Sequence, residues 1–509
     1  MRHRSRYKLT GFGALVGACA AVTAIAYRFT LSYAEEVRRT IFSLADSPLK
    51  IAGMFVLFAL IGVAVGRVTQ GEPLIKGSGI PQVEGQLLGF FSPQWLPVLV
   101  KKFICGAACI VCGLSLGREG PSIQLGAMTA QGMCDLTGRS RVERKYLIVC
   151  GACAGLAAAF NAPLAGVMFG LEEVHKNFSS RAMLPAMVAA ISADVISKLM
   201  FGVWSTLSIN PVGLLPIKFY FLYILIGALT GLFGAFYNRT LLFVQGLYAK
   251  LPVPLWARIV IPFICAGIIG FQLPEILGGG HSIIEELASY HYALDFMAVL
   301  LVGKFLFSMI CFCSGAPGGI FFPLLVLGAL SGAIFAESAS ILIGLPQQYV
   351  INFMLMGMAG MFAGIVRAPL TGIILVVEMS GSLTQLIGLS IVSCVSWLVA
   401  DLTHSRPIYE SLLDNMTPDS VDNSFAGEQN IIDVVVSYSS RLSGRPVKEI
   451  EWPSGCLIVC VNRGNEQIVP RGETVLEPGD VLNIACPVGD EGLVRSITDT
   501  PADEQDGGS

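Results

Sequence analysis

Residues 117–127 read GREGPSIQLGA and set one carboxylate, Glu119, in a Gly/Pro-punctuated loop that opens an apolar segment. A helix N-terminus presents unpaired N–H groups and partial positive charge, so it attracts anions. Here the chain supplies its own anion, tethered where a dissolved one would sit. Such a carboxylate can compete with a permeant ion and can be displaced or protonated, which is the chemistry of a gate. Three further loops offer neutral donors. Ser78 lies in GSGIP (77–81), the backbone N–H groups of Ile320 and Phe321 lie in SGAPGGIFFP (314–323), and the Tyr409 phenol lies in RPIYE (406–410). Neutral donors and helix ends suit a halide that must bind and then leave, whereas a buried Lys or Arg would hold it too tightly. Taken singly, Gly-Pro loops are also ordinary helix breaks and Tyr409 is also an interfacial aromatic.

A second carboxylate pair, Glu172 and Glu173, closes the apolar run NAPLAGVMFGLEEV (161–174), and His175, Lys176 and Arg181 follow it. The basic residues point to the cytoplasmic side. The pair reads either as a solvated helix end with salt bridges or as functional intramembrane carboxylates.

The elements that must hold these residues are membrane helices. The chain has 509 residues, is 54% hydrophobic and only 14% charged, which is too apolar for an ordinary soluble protein. Apolar stretches recur between about residues 9 and 402, including 51–65, 97–116, 183–200, 217–236, 258–273, 296–313, 321–343 and 385–400. At about 20 residues per crossing, about ten to fourteen membrane helices are expected. Several runs are short or broken by Gly and Pro, and lipid tolerates irregular backbone only where it lines a protein cavity. The N-terminal MRHRSRYK and the loop Arg139–Lys145 are basic, so both are expected on the cytoplasmic side, with no small-residue cleavage site after the first apolar run. The net charge of −3 says little about partners and gives no sign of nucleic-acid binding. Eleven of the fourteen cysteines fall in the apolar region, where Cys105, Cys109 and Cys112 share a helical face without a His or carboxylate cluster. They read as small packing residues, and neither a metal, a cofactor nor a disulfide framework is expected.

The apolar region repeats. GACAGLAAAFNAPLAG (151–166) aligns with GMAGMFAGIVRAPLTG (357–372), an offset of 206 from 151 to 357, and GREGPSIQLGA (117–127) aligns with GIFFPLLVLGA (319–329), an offset of 202 from 117 to 319. The Lys102-Phe103 and Lys304-Phe305 pairs share that second offset. Two related halves, each interrupted by Gly and Pro, place a binding site where the halves meet. After about residue 410 the composition shifts. DNMTPDSVDNSFAGEQN is a polar linker, and residues from about 430 to 498 alternate apolar and polar positions around a Pro-Gly-Asp turn. The last stretch, TDTPADEQDGGS, is acidic and reads as disordered.

GSGIP, GREGP and GGIFxP, in that order over a two-fold repeat, resemble the chloride channel/transporter (CLC) family across roughly residues 10–412. The resemblance implies an all-α polytopic membrane protein of two inverted structural repeats, with halves of about 10–210 and 215–410 in a 1–412 transmembrane domain. It implies a homodimer with one pathway per subunit. By the same resemblance Ser78, Ile320, Phe321 and Tyr409 line the anion site, Glu119 is the external gate and proton acceptor, and Glu173 is the internal proton-transfer residue of exchangers, where channel members usually carry an apolar residue. Ser78, rather than Pro, goes with chloride over nitrate, and the pattern does not match the fluoride-exporting branch. Glu172 and its repeat mate Glu378 are expected to support local structure. RLSGRPVKEIEWPSGCLIVCVNRGNEQIVPRGETVLEPGDVLNIACP resembles the TrkA C-terminal (RCK-C) module, which implies a small β-rich α+β cytoplasmic regulatory domain at 430–498 that binds a small molecule or dimerises, or serves only in assembly. A linker at 413–429 and a tail at 499–509 complete this plan.

The expected function is proton-coupled chloride exchange in a cytoplasmic (inner) membrane, multi-pass, with both termini cytoplasmic. A passive gated chloride channel is the alternative. The tail alone would suit a cation-transport subunit, but no TVGYG-like filter is present. An enzyme is the least supported class. The five histidines are scattered, and neither a nucleophile–base pair of recognisable spacing nor a phosphate loop is present.

Overall fold

In the computed structural model, the described residues are 2–202, 207, 213–289, 292–416, 429–438, 440–464, 466–487, 493, 494 and 497. The chain forms two compact units, one built from Met1–Glu84 and Pro93–Asp414 and a second that includes the C-terminal strands. One half of the helical region contains α1 (Arg2–Leu44), α2 (Pro48–Gly71), α3 (Ile80–Leu88), α4 (Trp95–Val111), α5 (Glu119–Thr137), α6 (Arg141–Phe160), α7 (Pro163–Phe169) and α8 (Ser180–Phe201). The other half contains α9 (Phe221–Lys250), α10 (Leu255–Gln272), α11 (His281–Ser289), α12 (Leu294–Cys313), α13 (Phe321–Ile343), α14 (Val350–Val366), α15 (Pro369–Ser380) and α16 (Leu386–Leu402), and α17 (Ile408–Asp414) follows. Among the described residues eight helices are long and apolar enough to cross a bilayer. That is fewer than length alone suggests, because the Gly and Pro interruptions divide other apolar stretches into short helices such as α7 and α15.

The sequence repeat is a structural repeat, and its devices recur at the same offsets. Lys102 is buried in α4 and its Nζ donates to the carbonyls of Ile75 (2.9 Å) and Gly77 (2.6 Å). Lys304 is buried in α12 and donates to Ile276 (3.0 Å) and Gly278 (2.7 Å) in the same way. Each ammonium pins the carbonyls of a glycine turn. The paired helices α5/α6 and α13/α14 approach through matched glycines, where a Cβ on Gly126 would lie 2.1 Å from the Gly151 carbonyl and one on Gly328 would lie 2.5 Å from that of Gly357. Small residues permit such backbone contact between membrane helices. The helices α6 and α14 both end on a non-glycine residue in left-handed conformation, Asn161 (φ 53°) and Arg367 (φ 71°), and an Ala-Pro step starts the next helix. Their side chains hold these costly conformations. Asn161 Oδ1 accepts from Ser197 (2.8 Å), and Arg367 donates to the Ser405 carbonyl (3.0 Å) and to Asp401 (3.1 Å).

The two halves exchange partners. Glu172 accepts from the N–H groups of Leu370 (3.3 Å) and Thr371 (2.8 Å) at the start of α15, and from the Thr371 hydroxyl (2.7 Å). Glu378, at the corresponding place on α15, accepts from Leu164 (3.1 Å) and Ala165 (2.8 Å) at the start of α7. This reciprocity is the mark of a local two-fold axis relating inverted repeats. The structural role read for both glutamates is thus that of a carboxylate satisfying the unpaired N–H groups of the opposite half's helix.

The second unit carries a four-stranded antiparallel sheet of β1 (Gln429–Val435), β2 (Leu457–Arg463), β3 (Glu466–Ile468) and β4 (Val481–Pro487), in the order β1-β4-β2-β3. Alternating residues such as Ile432, Val434, Ile458, Leu482 and Ile484 fill its core. The Pro-Gly-Asp turn precedes β4, and Gly479 supplies its positive φ of 90°. Of the expected linker, residues 417–428 lie outside the described residues, as does the whole tail at 499–509.

Candidate functional site

Three of the loops singled out in the sequence meet, and backbone hydrogen bonds join them. Gly117 and Gly319 exchange N–H···O bonds of 2.6 and 2.8 Å as an antiparallel bridge, and the Gly318 N–H donates to the Gly77 carbonyl at 2.9 Å. The bridge sets the N-termini of α5 and α13 beside each other, so the unpaired amides of both helices open onto one place. Ser78 is buried against Gly120, whose Cβ, if present, would lie 3.0 Å from the Ser78 Cβ. The Ser78 Oγ accepts from the Ile80 N–H at 3.3 Å, which leaves its own proton available to a ligand.

Glu119 is the first residue of α5 and is wholly buried. None of the described residues donates a hydrogen bond to either of its carboxylate oxygens, and the nearest cation is the Arg118 Nε, 3.7 Å from Oε1. The carboxylate folds back toward Gly117, because a Cβ placed there would meet Glu119 Oε2 at 2.6 Å and the Phe322 amide nitrogen at 3.1 Å. The tethered anion therefore faces the amides at the start of α13.

Aromatic rings pack beside these helix starts. Phe321, the first residue of α13, packs on Phe160 (5.4 Å between centroids), Phe169 (5.6 Å) and Phe362 (4.9 Å), and Phe169 meets Tyr409 edge-on at 6.4 Å. Tyr409 is entirely buried on α17, and its hydroxyl has no hydrogen-bond partner among the described residues. It is not an interfacial aromatic. Both Glu119 and Glu173 interact with it electrostatically. Ser78, Glu119, Ile320, Phe321 and Tyr409 thus belong to one assembly built from both halves.

Glu173 occupies a single π-helical turn, Gly170–Val174, at the end of α7, a distortion that frequently marks functional sites. Glu173 is buried, and its Oε1 lacks a hydrogen bond. The solvated helix end is therefore excluded for Glu173, while Glu172 is engaged with α15. Sequence reasoning named Lys176 beside Glu173 but missed its partners, Glu84 and Glu410. Lys176, at φ 51°, pairs with Glu84 of α3 (2.6 Å) and Glu410 of α17 (2.8 Å), and all three interact electrostatically with Glu173. Glu84 follows GSGIP by three residues and Glu410 adjoins Tyr409, but nothing in their spacing from Lys176 signals the contact.

The family model described as "Voltage gated chloride channel" matches residues 59–401. The chain belongs to the voltage-gated chloride channel family. Within that family it is 34% identical over 411 residues to the H(+)/Cl(-) exchange transporter ClcA of Vibrio vulnificus (strain YJ016), covering 79% of this chain and 88% of the relative. The exchanger of the same name from Salmonella agona (strain SL483) is 32% identical over 428 residues, covering 81% of this chain and 89% of the relative. Among solved structures, a slow cyanobacterial Cl-/H+ antiporter superposes with a TM-score of 0.77 at 26% identity, covering 81% of this chain and 99% of that one. A TrkA-C domain matches residues 431–498, the segment that carries the sheet. This family member is a multi-pass membrane protein with a C-terminal TrkA-C domain.

Proposed function

We propose that the protein exchanges chloride for protons across a cytoplasmic membrane, with both termini on the cytoplasmic side. The observation that carries this reading is the pair of buried carboxylates on different helices, Glu119 and Glu173, that keep oxygens without a hydrogen bond, as the buried Tyr409 hydroxyl does. Ser78, the amides of Ile320 and Phe321, and Tyr409 form the anion site. Glu119 competes with chloride for the amides at the head of α13 and, on taking up a proton from the far side, releases them. Glu173 passes protons to and from the cytoplasm beside the Lys176 cluster. A carboxylate buried without a hydrogen bond is energetically incomplete, which suits a group that alternates between an ion's place and a proton. The similarity to H(+)/Cl(-) exchangers supports coupling, and Ser78 favours chloride as the anion. In this reading each subunit of a homodimer has its own pathway, and the TrkA-C domain senses a cytosolic small molecule.

The test is chloride-driven proton movement in liposomes that hold the purified full chain. Wild type is expected to move protons uphill. Glu173→Gln and Glu119→Gln are expected to lose proton movement while chloride flux persists. Chloride flux without proton movement in wild type would make the protein a channel and reduce Glu173 to a structural charge.

A further inference from the structure

The chain turns at Lys176, just after the π-helical turn that carries Glu173. Its φ of 51° is left-handed, a conformation that L-residues avoid unless their surroundings hold them in it. Its side chain is held by carboxylates from two other helices. The Lys176 Nζ lies 2.6 Å from Glu84 Oε1 on α3 and donates to Glu410 Oε1 on α17 at 2.8 Å. Glu84 is buried, whereas Glu410 is half-exposed.

Both helices begin beside a residue of the anion site. Ser78 precedes α3, and its Oγ accepts from the N–H of Ile80, the first residue of that helix, at 3.3 Å. Glu84 stands one helical turn beyond Ile80 on the same face. Tyr409 is the second residue of α17, and Glu410 follows it directly, so the ammonium grips α17 next to the phenol. A second fixed point lies before α17, where Asn238 donates to the Arg406 carbonyl at 3.1 Å. Electrostatics alone would give the cluster a different role. Lys176 attracts the Glu173 carboxylate, while Glu84 and Glu410 repel it, so removing the cation and removing Glu410 would act in opposite senses.

Resting on the reading of Ser78 and Tyr409 as anion ligands, we propose that Lys176 is a positioning residue that straps α3 to α17 and so sets the spacing of the two hydroxyls around the anion. The strap acts through geometry, so its positive and negative ends serve the same purpose. Losing the ammonium sets Glu84 and Glu410 against each other. Losing Glu410 releases α17 without that repulsion. In both cases the Tyr409 hydroxyl is no longer held where the anion binds.

Chloride affinity of the purified full chain is read by isothermal titration calorimetry in detergent. Lys176→Met and Glu410→Ala are each expected to weaken chloride binding about three- to fivefold, and Lys176→Arg, which can span both carboxylates, to stay within about twofold of wild type. Glu410→Ala leaves Lys176 paired with Glu84, so it tests the strap without stranding a buried charge. In a Tyr409→Phe background neither Lys176→Met nor Glu410→Ala should weaken binding further, because the hydroxyl that the strap positions is gone. Weaker binding in Lys176→Met with tighter binding in Glu410→Ala would reduce the cluster to an electrostatic field and overturn the proposal. Losses of equal size with and without the Tyr409 hydroxyl would overturn it too, as would a loss in Lys176→Arg matching that in Lys176→Met. Unchanged binding in Tyr409→Phe alone would remove the ligand reading, and the strap with it. Calorimetry involves no proton movement, so a protein that proved to be a channel would leave these comparisons intact.

Discussion

At the residue scale, Tyr409 and Lys102 bury polar groups to opposite ends. The Lys102 ammonium is spent on two carbonyls of its own fold, whereas the Tyr409 hydroxyl reaches none of the described residues. A buried hydroxyl without a partner costs about 1–3 kcal/mol, so retaining one is informative. Removing it by Tyr409→Phe breaks no hydrogen bond and is expected to leave stability unchanged or raise it by up to about 1 kcal/mol. If the hydroxyl is an anion ligand, the same change weakens chloride binding by about 1 kcal/mol, or roughly fivefold. Thermal unfolding in detergent and calorimetric chloride titration separate the two effects. A destabilised variant that binds chloride normally would assign the hydroxyl to the fold.

At the scale of elements, the short helices α7 and α15 depend on each other's half. Glu172 caps α15 and Glu378 caps α7, each carboxylate taking two backbone N–H groups. Replacing either by Ala strands those donors and is expected to cost about 1–2 kcal/mol, with comparable losses at the two sites. Chemical unfolding of the two single variants checks this, and a loss at one site only would mean that the two-fold symmetry is not energetic. The repeat behind these contacts was legible in the sequence because Gly, Ala-Pro and Lys positions recur at offsets of 202 and 206, where close packing or turn geometry leaves little choice of residue. The meeting of GSGIP, GREGP and GGIFxP was legible for the same reason, since each motif is a helix break that must line protein rather than lipid. The Lys176–Glu84–Glu410 cluster was not, because charge pairs carry no periodicity and their partners lie 92 and 234 residues away, from 84 to 176 and from 176 to 410.

At the scale of the whole molecule, the chain joins a membrane body that buries Lys102, Lys304, Glu119 and Glu173 to a C-terminal module whose charges clamp a turn. In the module, Arg463 grips both oxygens of Asp480 (2.9 and 2.8 Å) and donates to the Val475 carbonyl (2.7 Å), and Asp480 Oδ2 also accepts the Glu477 N–H (2.9 Å). The hydrogen bonds from Arg463 hold the Asp480 carboxyl below the usual carboxylate range and the guanidinium above its own. A depressed folded-state value means that the unfolded chain binds the proton first. The stabilisation is therefore complete above the ordinary aspartate value of about 4 and is lost as pH falls from there through the lower folded value. Arg463 stays charged throughout and adds no pH dependence in this range. Since Asp480 is buried while Arg463 is partly exposed, Arg463→Ala is expected to cost about 1–3 kcal/mol at neutral pH. Asp480→Asn should remove most of that stabilisation and flatten the acid limb. Hydrogen exchange of the full chain, read as protection of β2 and β4 relative to the intrinsic rate at neutral pH and near pH 3, reports the module without separating it from the membrane body. Lower protection in those strands on acidification, absent in Asp480→Asn, is the expected result. An acid limb that survives in Asp480→Asn would overturn the assignment of the acid sensitivity to the Arg463–Asp480 clamp.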